Sequence, residues 1–326
     1  MRRRDFVKVL IGFAADWPFV AYAQQLSTPV VGYLGLTSAK SDAYLIAPFL
    51  KALSDAGFED GRNMKIEYRF AERDGARLPE LAKDLVDRNV AVIFTGTTVS
   101  ALAAKAATST IPVVFAIGAD PIKSGLVSSL NHPGGNLTGV SFFTNQMEAK
   151  RLGLLHEFAS KAGVFAVLLN PNNPFFDNQL NDVQEAARRL DVKIHIERAS
   201  NEQDIASAFK KFTQEQAGAL LVGADPYFNS QRSLVIAPAV QLRLPAIYEW
   251  REYAEAGGLM SYGTSLTDAY RQAGDFVVRI LKGARPADLP VLQADKFEFV
   301  INLKTAKAMG VPVPLQLQQR ATEFIE

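Results

Sequence analysis

The chain has no cysteine. That excludes disulfides, thiolate metal sites, a cysteine nucleophile and a lipid-modified cysteine anchor. An excess of one charge is lacking too. Lys and Arg number 35 against 34 Asp and Glu over 326 residues, a net charge of +1, so nothing electrostatic points to nucleic acid. The three histidines, His132, His156 and His195, stand far apart without ligand spacing, and no metal is expected. Catalytic signatures are missing: no G-x-S-x-G, no P-loop, no H-E-x-x-H, and no G-x-G-x-x-G after the first strand, where a dinucleotide fold needs it. The expectation is a protein with no cofactor and no enzymatic activity.

What is present is globular: 48% of residues are hydrophobic and 21% charged, in a chain long enough for two domains. Arg2, Arg3, Arg4 and Lys8 form a basic start, residues 9–15 are apolar but too short to span a bilayer, and Ala21-Tyr22-Ala23 is a small-x-small cleavage site. The pattern predicts a cleavable export signal over residues 1–23. Arg3-Arg4-Asp5-Phe6-Val7-Lys8 also resembles a twin-arginine signal.

Apolar periodicity then predicts strands at 29–34, 64–70, 90–94 and 111–117 with helices between them, a β-α-β-α-β-α-β run. A short helix is expected around 125–130, a strand at 137–143 and a helix at 146–161. The pattern restarts with strands at 164–169, 192–196, 219–222 and 244–248, again separated by helices. A strand at 259–262, a helix at 268–282, a strand at 297–301 and a helix at 303–309 complete it. The fold class expected is α/β: two Rossmann-like lobes with parallel sheets, joined by a hinge of three crossings. Lobe one is expected at 29–140 plus 259–285, and lobe two at 141–258 plus 286–326.

In open α/β sheets ligands bind beyond the carboxyl ends of the strands. Gly-Ala-Asp-Pro stands at two such ends, residues 118–121 and 223–226. Counting strands puts the two copies out of phase. The counterpart of Gly223-Ala224-Asp225 is Thr95-Gly96-Thr97, and that of Gly118-Ala119-Asp120 is Tyr248-Glu249-Trp250. Thr95-Gly96-Thr97-Thr98 precedes a helix, where glycine admits close approach and the helix N-terminus favours an anion such as a carboxylate. Ordinary N-capping by Thr97 or Thr98 is the plainer alternative. Aromatics gather at loop ends in Phe142-Phe143, Phe175-Phe176, Tyr227-Phe228 and Tyr248-Glu249-Trp250, with Tyr227 and Tyr248 ranked first for their polar handle. A glycoside hydrolase using Asp120 and Asp225 is the enzymatic alternative.

The stretches AAKAATSTIPVVFAIGADPIKSGLVSSLNHPGGNLTGVSF, LLNPNNP, LPAIYEWREYAEAGGLMSYGTSLTDAYRQAG and RILKGARPADLPV resemble the ABC-transporter substrate-binding proteins of the tryptophan/tyrosine-receptor type, with a type I periplasmic-binding-protein fold. The resemblance covers nearly the whole chain. It implies a periplasmic receptor, a monomer, that delivers a small solute to an inner-membrane permease driven by an ATPase. By position it implies binding loops at Leu36, Thr37, Thr97, Thr98, Gly118, Asp120 and Phe142 on one side, and at Asn170, Asp225, Tyr227, Tyr248 and Glu249 on the other. An amino acid's ammonium group would fall to Asp120, Asp225 or Glu249. If none faces the cleft, a carboxylate without an amine is expected. A sensor module and a transcription regulator of similar fold are the rivals; the export pattern disfavours the second.

Overall fold

The computed structural model describes residues 28–142, 147–294 and 296–326. The predicted export signal and Phe143 lie outside the described residues. Chain order begins β1 (Val30–Gly35), α1 (Ala39–Asp55), β2 (Lys65–Phe70), α2 (Leu78–Asp87), β3 (Val92–Thr95), α3 (Thr98–Ala107), β4 (Val113–Ile117) and β5 (Leu137–Ser141). It continues with α4 (Glu148–Phe158), β6 (Phe165–Leu169), α5 (Phe176–Leu190), β7 (Ile194–Arg198), α6 (Glu202–Gln214) and β8 (Ala219–Val222). Then come α7 (Pro226–Ser230), α8 (Arg232–Gln241), β9 (Ala246–Tyr248), α9 (Arg251–Glu255), β10 (Met260–Thr264) and α10 (Leu266–Leu281). Last are β11 (Leu292–Gln293), β12 (Phe297–Asn302), α11 (Leu303–Met309), α12 (Leu315–Arg320) and β13 (Glu323–Ile325).

Two sheets result, ordered β11-β5-β4-β3-β1-β2 and β13-β12-β10-β9-β8-β6-β7. Five strands of each share one order, so β3 and β8 are counterparts, as are β4 and β9. All pairings are parallel except β10 with β12. Strands such as β4 (VVFAI) and β6 (FAVLL) are buried at every residue, as parallel strands covered by helices on both faces must be. The covering helices carry one apolar stripe each: Val183, Ala186 and Ala187 of α5 face inward while Arg188 and Arg189 do not. Among the described residues no helix is long and apolar enough to cross a membrane.

Two boundaries differ from expectation. β10, expected in lobe one, runs in the second sheet between β9 and β12. β11, expected in lobe two, pairs with β5 through Leu292 and Val140, so the third crossing follows residue 294 rather than 285. The pattern could not show this, because β11 is two exposed residues whose only signal is its partner. The short helix expected around 125–130 is absent. Asp120 Oδ1 accepts from the N–H groups of Ile122 and Lys123 at 2.9 and 3.2 Å, and the turn ends at Gly125, whose φ of +70° stops a helix.

Candidate ligand-binding cleft

A cavity of about 580 Å³ lies between the lobes, lined by the carboxyl ends of strands from both sheets. From the first lobe come Leu36 after β1, Arg73 after β2, Gly96, Thr97 and Thr98 after β3, Gly118 after β4 and Phe142 after β5. From the second come Asn170, Asn172 and Asn173 after β6, Ser200 after β7, Asp225 and Tyr227 after β8, and Trp250 after β9. Most of the lining is apolar or aromatic with a few polar groups, the usual make-up of a small-molecule site.

The donor side sits at the start of α3. Thr97 Oγ1 caps the helix by accepting from Ser100 N–H at 3.2 Å, so the plainer role of that hydroxyl is realised. The first N–H groups of a helix have no partner within it. Those of Thr98 and Val99, both cleft residues, are the ones a ligand oxygen can reach. Gly96 is required by sterics: its carbonyl accepts from Tyr270 Oη of α10 at 3.2 Å, and a Cβ at residue 96 would collide with that hydroxyl.

The opposite wall is built around Asp225. Its Oδ1 accepts from Asn170 Nδ2 at 3.0 Å and from the N–H groups of Tyr227 and Phe228 at 2.9 and 3.3 Å; its Oδ2 accepts from Asn173 Nδ2 at 2.9 Å. Burial pushes this carboxyl up, and these four bonds pull it back. Asn170 and Asn173 also close Asx turns onto Asn172 N–H and Phe175 N–H. The LLNPNNP stretch thus becomes a rigid shelf. Trp250 meets Phe142 edge to face across the lobe boundary, ring centroids 6.4 Å apart.

Leu36, Thr97, Thr98, Gly118, Phe142, Asn170, Asp225 and Tyr227 all line the cleft, as proposed ligand contacts. Four candidates do not. Thr37 is buried and donates to Asp42. Asp120 caps its own turn and faces a separate groove of about 540 Å³ with Lys123, Asp182 and Arg189. Tyr248 is fully buried, stacked on Tyr253 at 4.6 Å between centroids. Glu249 is fully buried behind the wall. Residues missing from the expected set are Arg73, Asn173, Ser200 and Tyr270. The strand-end rule applied to β2 and β7 would have found Arg73 and Ser200; Tyr270 sits on a helix face that reads as core.

Three contacts tie the lobes at the mouth. Asn229 Nδ2 of α7 donates to Tyr44 Oη of α1 at 2.8 Å. The Arg232 guanidinium of α8 sits 5.4 Å from the Tyr44 ring centroid. Gln231, in the amide orientation that satisfies both partners, accepts from the two terminal nitrogens of Arg73 at 2.6 and 2.9 Å. A closed form held this way weakens when one tie is cut. Tyr44→Phe, which keeps the ring and removes the hydroxyl, should weaken ligand affinity by about three- to tenfold, the worth of one net hydrogen bond. Calorimetric titration reads this, and an unchanged affinity would deny Tyr44 the role.

The profile of a family described as ABC transporter substrate binding protein matches residues 38–325. A tyrosine-binding protein of Clostridioides difficile is 28% identical over 263 residues, spanning 81% of this chain and 75% of that protein. A Streptococcus pneumoniae ABC domain, solved in complex with L-Trp, is 26% identical, covers 92% of this chain and all of its own, and superposes with a TM-score of 0.82. A ligand-free, open substrate binding protein of Clostridium difficile is also 26% identical, covering 91% and 99%, but reaches only 0.67. At equal identity, the arrangement here is nearer the ligand-bound relative than the open one.

Proposed function

The chain belongs to the family of ABC transporter substrate binding proteins, and from that premise we propose that it captures a small planar carboxylate in the cleft between its lobes. The family fixes the general role: an extracytoplasmic receptor that presents a small molecule to a transporter. The finer reading is an export signal at residues 1–23, release into the periplasm, action as a monomer, and no catalytic step.

One observation carries the ligand reading. The N-terminus of α3, with Gly96, Thr97 and Thr98, faces an aromatic wall of Phe142, Tyr227 and Trp250 across one cavity. Backbone N–H groups and the helix dipole favour an anionic oxygen there. The rings bury a flat apolar body and exclude water as the lobes close. The relatives' ligands, tyrosine and L-Trp, each join a carboxylate to a flat aromatic ring.

Calorimetric titration of the unliganded protein with a panel of aromatic carboxylates tests the reading. At least one should bind with Kd in the micromolar range or below, about −8 kcal/mol. It should also raise the melting temperature in proportion to its occupancy. Binding of sugars alone, or of no carboxylate below millimolar concentration, would remove it.

A further inference from the structure

Among the described residues, two charged side chains, Arg73 and Asp225, line the cleft. Asp225 is buried, and its oxygens already accept four hydrogen bonds from Asn170, Asn173, Tyr227 and Phe228. Those donors hold the shelf and start α7, so the carboxylate is a structural keystone rather than a free acceptor. The other acids once expected to meet an amine are elsewhere: Asp120 faces the second groove and Glu249 lies behind the wall. Among the described residues, no carboxylate in the cleft is free of such bonds to take an ammonium group.

Arg73 is different. It is exposed, and it makes no ion pair among the described residues; its recorded partner is the neutral amide of Gln231. Its backbone is costly. Glu72 and Arg73 both lie in the left-handed region, with φ of 53° and 70°, pinned by Glu72 N–H to Thr37 O at 2.9 Å and Arg73 N–H to Leu36 O at 2.8 Å. Left-handed non-glycine residues cost on the order of 1 kcal/mol each and persist where the surroundings over-determine them, often at ligand sites. Here that turn aims a long cation at the mouth of an apolar cavity. The acids near it are Asp42, held by Thr37 and Ser41, and Glu72 on the turn itself. Neither lines the cleft.

We infer that Arg73 sets the ligand's charge: the cleft selects an aromatic or apolar monocarboxylate that lacks an α-amine, in contrast to the amino acids bound by the relatives. This rests on the carboxylate reading above and narrows it. A zwitterion brings an ammonium group whose one charged acceptor in the cleft, Asp225, is buried and already holds four donors, and burying a poorly compensated charge is far costlier than burying a neutral group. An amine-free acid brings one negative charge to a cleft with one uncommitted positive one.

The test uses matched pairs that differ only in the amine: 3-phenylpropionate with L-phenylalanine, 3-(4-hydroxyphenyl)propionate with L-tyrosine, and indole-3-propionate with L-tryptophan. Each is titrated calorimetrically into the unliganded protein at pH 7.5. In at least one pair the amine-free acid should bind ten times tighter or more. Arg73→Gln should cut that acid's affinity about tenfold and the amino acid's by less, so the ratio falls toward one. Equal or tighter binding of the amino acids would overturn this inference and leave the carboxylate reading standing. A preference that survives in Arg73→Gln would overturn the role of Arg73. Binding by no member of any pair would overturn both readings.

Discussion

Arg151→Met is expected to cost about 3–5 kcal/mol of stability, read as a lowered urea midpoint. Arg151 and Glu148 are each fully buried in the second lobe, joined by a 2.7 Å ion pair one turn apart on α4. Glu148 also accepts from Gln179 Nε2 at 3.2 Å, which ties α4 to α5, and Arg151 donates to the carbonyl of Tyr262 at 3.4 Å. Removing one member of a buried pair leaves the other charge without compensation, and the loss is of that size. Replacing both members by similar apolar volume removes the penalty as well as the attraction. Glu148→Met with Arg151→Met should therefore recover the part of the loss that comes from Glu148 left unpaired. A single variant within about 1 kcal/mol of the parent would deny the pair its weight.

The second large effect is a pH dependence centred on Glu249. Burial pushes its carboxyl up to about 8, against a downward pull from Arg151. In the unfolded chain the same group titrates near 4.3. Between those values the folded protein holds a proton that the unfolded one has released. The group's contribution to stability is therefore fully present below about 4.3 and is lost as pH rises toward 8. The melting temperature should fall between pH 5.5 and 8.5. Glu249→Gln should flatten the decline and be the more stable form at pH 8.5 by a few kcal/mol, since one pKa unit corresponds to about 1.4 kcal/mol. Glu252, pushed up to about 7, and Asp42, pushed up to about 6, slope the same way and remain in the variant, so the difference between the two proteins isolates Glu249. Identical slopes would refute the assignment.

The sequence carried the repeated β-α pattern clearly, because buried parallel strands read as unbroken apolar runs. Counting strands also pairs β3 with β8 correctly, which separates the two Gly-Ala-Asp-Pro copies by position in the sheet. Their aspartates indeed part ways: Asp225 caps α7 at the cleft, and Asp120 caps a turn at another groove. The direction of side chains past a strand end was less legible. Tyr248, Glu249 and Trp250 are consecutive, yet only Trp250 lines the cavity, and nothing in residue type says which will turn outward. Arg73 was legible only by its position past the end of β2. Its turn depends on two left-handed residues that are not glycine, so no composition signal marks it. The exchange of β10 and β11 between the lobes was equally silent, since each is assigned by its partner strand and not by its own sequence.

That exchange bears on how the protein forms. Each sheet takes five strands from one stretch of chain, β1 to β5 in the first and β6 to β10 in the second. Each lobe then waits for late segments: the first for α10, which packs along α1, and for β11 beside β5, the second for β12 beside β10 and for β13. Closing so long a loop is slow, because its entropy is lost before the contacts reward it. Neither lobe can therefore be completed as the chain passes it, and the apolar stripe of α1 stays uncovered until α10 is available.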